Sequence, residues 1–294
     1  MLTMNRIDAK REIIGLRSLG DALAGVLFLP ACASPAPALI ICHGAGEFKE
    51  NYFELCECLA AKGVAALAID MHGHGESEGD RFYVDISKWV EDIRAAVGFL
   101  ARHPRVDGGR VGAFGLSSGG TAILEASLVE PRLKALVALD ATVRNSLPPL
   151  YTVFMKCLIG IGRLKRWVTR QDWRVPLIKL MSGVPLASDP EVERRLRSDP
   201  RALEAYLAFP FPGAAQSFFV NTLQRVSKIT IPTLVLWGED DKLDPPDTAR
   251  MLYAALLCKK ALHIIPGNGH VGHLDRHKEK VFALTTDWAL ENLA

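Results

Sequence analysis

The 294 residues include six cysteines, and none stands in a Cys-x-x-Cys pair or at a spacing that suits a metal ion. Reduced, mostly buried thiols are the simplest reading, and they favour a cytoplasmic setting. No apolar run approaches the about 18 residues that a membrane span needs, so a soluble protein is expected. No long run of Lys and Arg occurs and the formal net charge is only +2, which leaves no footprint for a nucleic-acid partner. Repeats and low-complexity tracts are also missing. What is present suits one large globular domain carrying an insertion: 49% of residues are hydrophobic and 23% charged.

One apolar stretch, Leu23 to Ala33, ends in Ala-Cys-Ala and superficially suggests a leader with a cleavage site. Asp8, Glu12 and Asp21 precede it, and it lies too deep in the chain for an ordinary leader. A hairpin accounts for it better: Glu12 to Leu16, a turn at Ser18 to Asp21, then Ala24 to Leu29, closed by Pro30. Beyond it short apolar runs alternate with helical patterns. Strands are expected at Ala38 to Cys42, Val64 to Ile69, Arg110 to Phe114, Leu133 to Leu139, Thr233 to Trp237 and Ala261 to Ile265. Helices are expected at Tyr52 to Lys62, Asp85 to Arg102, Gly119 to Val129, Asp247 to Leu257 and Lys278 to Asn292. Strands joined by such helices need crossovers, so an α/β fold follows, with a mainly parallel sheet covered on both faces and a ligand site beyond the strand ends.

The alternation fails between Leu139 and Thr233, where helical patterns and prolines occur without a convincing buried strand. Residues 143–222 therefore read as a helical cap (lid) inserted between sheet-forming parts, 1–142 and 223–294. This segment has twelve Lys and Arg against six Asp and Glu, and the rest of the chain has a slight acidic excess. Leu147 to Ile161 is strongly apolar and is followed by Arg163, Lys165, Arg166 and Arg170. An acyl tunnel or a lipid-facing lid with a basic margin is one reading. The plainer one, a cap helix packed on the core with a solvated basic end, is preferred.

Chemistry concentrates at Arg110-Val-Gly-Ala-Phe-Gly-Leu-Ser-Ser-Gly-Gly120. A serine hydroxyl is a poor nucleophile until a turn presents it to a base and to oxyanion donors. Here a buried strand, a sharp turn and a helix put Ser117 at the turn, with Gly115 and Gly119 removing side chains where the backbone doubles back. Gly120 adds room for close helix packing. Ser118 fits the pattern worse, because Leu116 stands two residues before it.

The base is expected on a loop after the last strand. Ile264-Ile-Pro-Gly-Asn-Gly-His270 offers His270, with His273 and His277 as alternatives. The acid that holds the histidine tautomer is expected after the preceding strand, where Glu239, Asp240, Asp241 and Asp244 all stand; Asp140, before the cap, is a further candidate. An oxyanion hole needs two convergent N–H groups. Ser118 and a residue of His43-Gly-Ala-Gly46, most plausibly Ala45, are expected to supply them, with His43 shaping that loop by hydrogen bonding.

Taken together these residues resemble the α/β-hydrolase superfamily, in particular its monoacylglycerol lipase and lysophospholipase branch (serine aminopeptidase S33-like). The match runs through His43-Gly-Ala-Gly-Glu47, Tyr52, Leu55 and Asp70-Met-His-Gly-His-Gly-Glu-Ser-Glu-Gly79. It resumes at Ile231 to Asp241 and at Gly267-Asn-Gly-His270, and does not include the cap. The resemblance implies an eight-stranded sheet, an acid three residues after Gly238, which selects Asp241, and an oxyanion hole at Ala45 and Ser118. It implies a serine hydrolase acting through an acyl-enzyme on a small-molecule carboxylic ester, with no metal or organic cofactor. Thioesterase, acyltransferase, peptidase or amidase activity would use the same Ser117, Asp241 and His270, and a binding protein that merely keeps the fold is disfavoured. Two departures from the lipase pattern bear on the substrate: Phe48 follows Glu47 where histidine is usual, and Leu116 and Ser118 flank Ser117 in place of His and Met.

Overall fold

In the computed structural model, residues 10–31, 35–145, 147–176, 183–207 and 209–293 are described. The N-terminal hairpin pairs β1 (Lys10–Ser18) with β2 (Asp21–Leu29), from Lys10↔Leu29 to Ser18↔Asp21. Leu19 and Gly20 close it with φ of 54° and 97°. Two consecutive left-handed residues twist with the flanking strands, which is why so short a turn closes the ladder.

Six short runs supply the remaining strands: β3 (Ala36–Cys42), β4 (Ala65–Ile69), β5 (Val106–Leu116), β6 (Leu133–Leu139), β7 (Thr233–Gly238) and β8 (Lys260–Ile265). They form an eight-stranded sheet in the order β1-β2-β4-β3-β5-β6-β7-β8. The hairpin, itself antiparallel, joins the rest antiparallel through β2 and β4, and the five remaining ladders are parallel. This is the α/β hydrolase fold expected above.

Alternation along a strand sends successive side chains to opposite faces, and two apolar cores follow from it. Ile40 and Cys42 of β3 join one core, with Trp89 and Ile93 of α2 (Ile86–Leu100) and Ile123 of α3 (Ser118–Ser127). Leu39 and Ile41 join the other, with Leu55 and Leu59 of α1 (Phe53–Ala61). Asp85 starts α2 by accepting the N–H groups of Ser87 and Lys88. Among the described cysteines, all free, Cys42 and Cys56 are buried, Cys58 and Cys258 half-buried and Cys157 exposed; Cys32 lies outside the described residues.

After β6 the chain leaves the sheet. Pro149 opens α4 (Pro149–Thr169), α5 (Pro190–Ser198) and α6 (Pro200–Leu207) follow, and a two-residue ribbon pairs Arg174–Val175 with Phe209–Pro210. The chain then returns to β7, α7 (Pro246–Ala255), β8 and α8 (Lys278–Asn292). Among the described residues no helix is long and apolar enough to cross a membrane.

The expectation that the apolar stretch packs on the core is not met. Of α4 only Ile159 and Gly162 are buried, and they meet Phe211, Pro212 and Trp173 in a small separate cluster. Leu150, Phe154, Ile161, Leu164 and Val168 share one stripe at helical spacing, and all are exposed, Leu150 at 78%. The basic end is not simply solvated either, since Arg166 pairs with Asp80 at 2.6 Å and Asp172 at 3.5 Å. Apolar residues surround this helix, so periodicity could not tell which side would find a partner.

Candidate active site

Ser117 occupies the junction between the end of β5 and the first residue of α3, with φ 52° and ψ −117°. A non-glycine residue here is strained, and the packing around it explains why the strain persists. A Cβ on Gly115 would lie 2.3 Å from the Gly119 carbonyl oxygen, and one on Gly119 would lie 2.5 Å from that of His43. Strand, helix and the His43 loop therefore approach one another only because these positions are glycine. Gly120 similarly leaves room for Ala141, as its Cβ would stand 2.6 Å from that of Ala141. Ser117 Oγ lies 3.5 Å from Thr142 Oγ1, which donates to Asp244 Oδ2 at 2.7 Å.

His270 is buried on the loop after β8, and its Nδ1 lies 2.8 Å from Asp241 Oδ2. The other oxygen of Asp241 accepts the N–H groups of Leu243 and Asp244 at 2.8 and 3.0 Å, so the carboxylate is fixed before it meets the histidine. With Nδ1 engaged, Nε2 is the nitrogen free to serve a reacting hydroxyl. Burial opposes protonation of His270, but the carboxylates of Asp241, Asp140 and Asp244 outweigh it and raise the imidazole above its usual range.

The alternatives separate clearly. Glu239 and Asp240 are exposed, and Asp240 meets Ser188 instead. Asp140 is fully buried and accepts the Gly238 N–H at 2.7 Å; burial, with Asp241 beside it, pushes its carboxyl well up. Asp244 is engaged by Thr142. His277 is exposed, while buried His273 stacks on Tyr52 with ring centroids 4.1 Å apart. Burial holds His273 down at about 4, so it is a neutral packing residue near Glu47.

The His43 loop is wired from both sides. His43 Nε2 accepts the Met71 N–H at 2.9 Å, which leaves Nδ1–H to donate to the Gly44 carbonyl at 2.7 Å. Glu47 accepts the Gly44 N–H at 3.0 Å and the Tyr52 hydroxyl at 2.6 Å. Lys49 is tied to Asp70, whose carboxylate also takes the Glu76 N–H, and Gly75 is required because a Cβ there would meet Asp70 at 2.1 Å. The Gly/His-rich stretch after β4 thus acts as scaffold for the loop bearing Ala45. Ala45 and Ser118 line the same pocket as Ser117 and His270, and Ser118, first in α3, has no intrahelical acceptor for its N–H.

That pocket holds roughly 850 Å³ of space, part of it open to solvent. Leu116, Leu186, Phe209, Phe218, Leu243 and Val271 make its walls mainly apolar, with Glu47, Thr142, Arg144, Tyr206 and Asp244 among the polar exceptions. Sequence reasoning missed Thr142, Arg144, Tyr206, Phe209 and Phe218. Position just past a strand end was a usable signal for Thr142 and Arg144, but the others come from the segment that lacked any strand pattern.

Strand order, the strained serine turn and the buried histidine–carboxylate pair beyond the strand ends define an α/β hydrolase. Comparison with known proteins narrows this. The chain belongs to the family described as serine aminopeptidase, S33, whose profile matches residues 33–277, and it is a hydrolase. It is 26% identical over 266 residues to a monoacylglycerol lipase of Mycolicibacterium smegmatis, covering 88% of this chain and 90% of that one. In structure it is similar to a hypothetical protein of Pseudomonas aeruginosa, with a TM-score of 0.83, 23% identity and coverage of 99% and 98%. The α/β hydrolase GrgF of Penicillium sp. sh18 superimposes with a TM-score of 0.82 at 21% identity, covering 97% and 99%, which bears on the fold alone.

Proposed function

We propose that the protein is a serine hydrolase that cleaves a small-molecule carboxylic ester through an acyl-enzyme. The observation that carries this reading is the His270–Asp241 contact of 2.8 Å beside a serine in a strained strand-to-helix turn, both opening on one apolar pocket. Ser117 Oγ attacks the ester carbonyl carbon and His270 Nε2 takes its proton. The N–H groups of Ala45 and Ser118 stabilise the oxyanion. The carbon–oxygen bond to the alcohol then breaks, and the alcohol leaves with the proton from His270. Water attacks the acyl-enzyme with His270 again as base, releasing the acid and restoring Ser117. Asp241 holds the imidazole throughout.

Residues 143–222 serve as a cap over the catalytic parts, 1–142 and 223–294, and the protein works in the cytoplasm. The exposed apolar stripe of α4, with Arg163, Lys165 and Arg170 nearby, supports transient contact of that cap with a lipid surface. Similarity to a lipase of esters supports the ester reading over thioester or amide cleavage.

A fluorophosphonate probe tests the mechanism. Wild type should label and Ser117→Ala should not, and on a panel of soluble ester, thioester and amide substrates the ester should turn over fastest. A folded wild type that neither labels nor hydrolyses any of them would sink the reading; preference for the amide would correct the substrate.

A further inference from the structure

Arg144 is the guanidinium in an otherwise mainly apolar pocket wall. The backbone leading into it is held in place by two hydrogen bonds. Thr142 N–H donates to the Ser117 carbonyl at 3.3 Å, and the Val143 carbonyl accepts the Leu223 N–H at 2.9 Å. The side chain is half-buried, and its Nε is shielded from solvent with no acceptor among the described residues. Other arginines of the chain behave differently: Arg132, Arg166 and Arg225 each close onto a carboxylate, of Glu130, Asp80 and Glu125. Asp244 and Glu47 line the same pocket; Asp244 is near enough to feel the charge of Arg144 but gives its hydrogen bond to Thr142, and Glu47 is bonded to Gly44 and Tyr52.

A buried donor left without an acceptor is costly, and a planar guanidinium fork is shaped for a two-oxygen anion. We propose that Arg144 receives a free carboxylate of the substrate, remote from the scissile bond, so that the preferred substrate is an ester that also carries a carboxylate. A singly charged carboxylate matches one guanidinium. A phosphate, with its second charge, would face Glu47 and Asp244 in the same pocket, and among the described lining residues only His270, which the proposed chemistry needs neutral, could add a positive charge to that of Arg144. The proposal rests on the ester-hydrolase reading and adds the class of substrate to it. Arg144 is here a specificity residue, with no part in the chemical step.

Matched substrates test it. One pair carries the group on the acyl side: 4-nitrophenyl hydrogen glutarate and its methyl-capped neutral counterpart. A second pair carries it on the alcohol side: a butanoate ester of 4-hydroxybutanoic acid and the same ester methyl-capped. For at least one pair, wild type should favour the free carboxylate by about tenfold to a hundredfold in kcat/KM, mainly through KM. Arg144→Gln should bring that ratio close to one, and Arg144→Lys, which keeps the charge without the fork, should retain part of it. The proposal is overturned if wild type favours the neutral ester in both pairs, or if Arg144→Gln keeps the wild-type ratio. The wild-type ratio is decisive even if a variant fails to fold. Absence of hydrolysis in every case, with no fluorophosphonate labelling, instead overturns the ester-hydrolase reading beneath it.

Discussion

The two walls of the pocket are built on different principles. On the sheet side, Ala45, Ser117, Ser118 and His270 stand on loops that leave the ends of β3, β5 and β8. Each is fixed by backbone hydrogen bonds, by glycines that allow close approach, or by a buried carboxylate. On the other side Tyr206, Phe209 and Phe218 come from the segment between β6 and β7, where α4 turns much of its apolar surface outward. One wall sets geometry to within a hydrogen bond, and the other sets shape and polarity. Reaction type therefore belongs to the first wall and choice of substrate to the second.

The largest effects should come from the sheet side. Asp241→Asn keeps the volume but removes the charge and the tautomer control of His270, and a loss of about 10⁴-fold in kcat is expected with little change in KM. A folded Asp241→Asn enzyme with near-normal kcat would remove the distinction between the walls.

The pH dependence follows with a definite sign. In the proposed mechanism His270 must be neutral to act as base, and the surrounding carboxylates raise its pKa, so protonation and loss of activity should begin at a higher pH than for an ordinary histidine near 6.5. The acid limb of kcat/KM should therefore lie above that value in wild type and move down in Asp241→Asn, where one of those charges is gone.

Next in size is the turn itself. Gly115→Ala puts a Cβ 2.3 Å from a backbone oxygen that no side-chain rotation can relieve. A cost of about 1–3 kcal/mol is expected from overpacking, seen as a lower urea midpoint, together with a fall in kcat as Ser117 shifts. Equal stability and activity would show the turn to be less closely packed than its geometry indicates.

Much of the first wall was legible in the sequence because its determinants are local. Glycines around Ser117, a Gly-Asn-Gly-His270 loop after a strand and a carboxylate after Gly238 each have a short-range reason to be where they are. Choosing Asp241 from four neighbouring acids required the family pattern, since exposure of Glu239 and Asp240 depends on where β7 ends relative to β8. The second wall was illegible for a physical reason. Apolar residues lie all round α4, and burial of Ile159 rather than Ile161 is decided by Phe211 and Trp173, both beyond the end of the helix in sequence. Arg144 looked like one basic residue in a basic segment until the lack of a partner for its Nε became visible.

The smallest effect on stability should come from α4. Ile161 and Leu164 are 57% and 59% exposed, so replacing both with Glu removes little buried surface and should alter unfolding free energy by no more than about 0.5 kcal/mol per site. Leu55→Ala in the core should cost about 2–5 kcal/mol by comparison. The value of the α4 pair is that stability and lipid contact come apart. If the stripe meets lipid, wild type should sediment with vesicles containing anionic phospholipid, and Ile161→Glu with Leu164→Glu should stay in the supernatant while hydrolysing soluble esters at the wild-type rate. Retained vesicle binding in the double variant would place any lipid contact elsewhere, and a large loss of stability would mean that this face is covered in solution by protein.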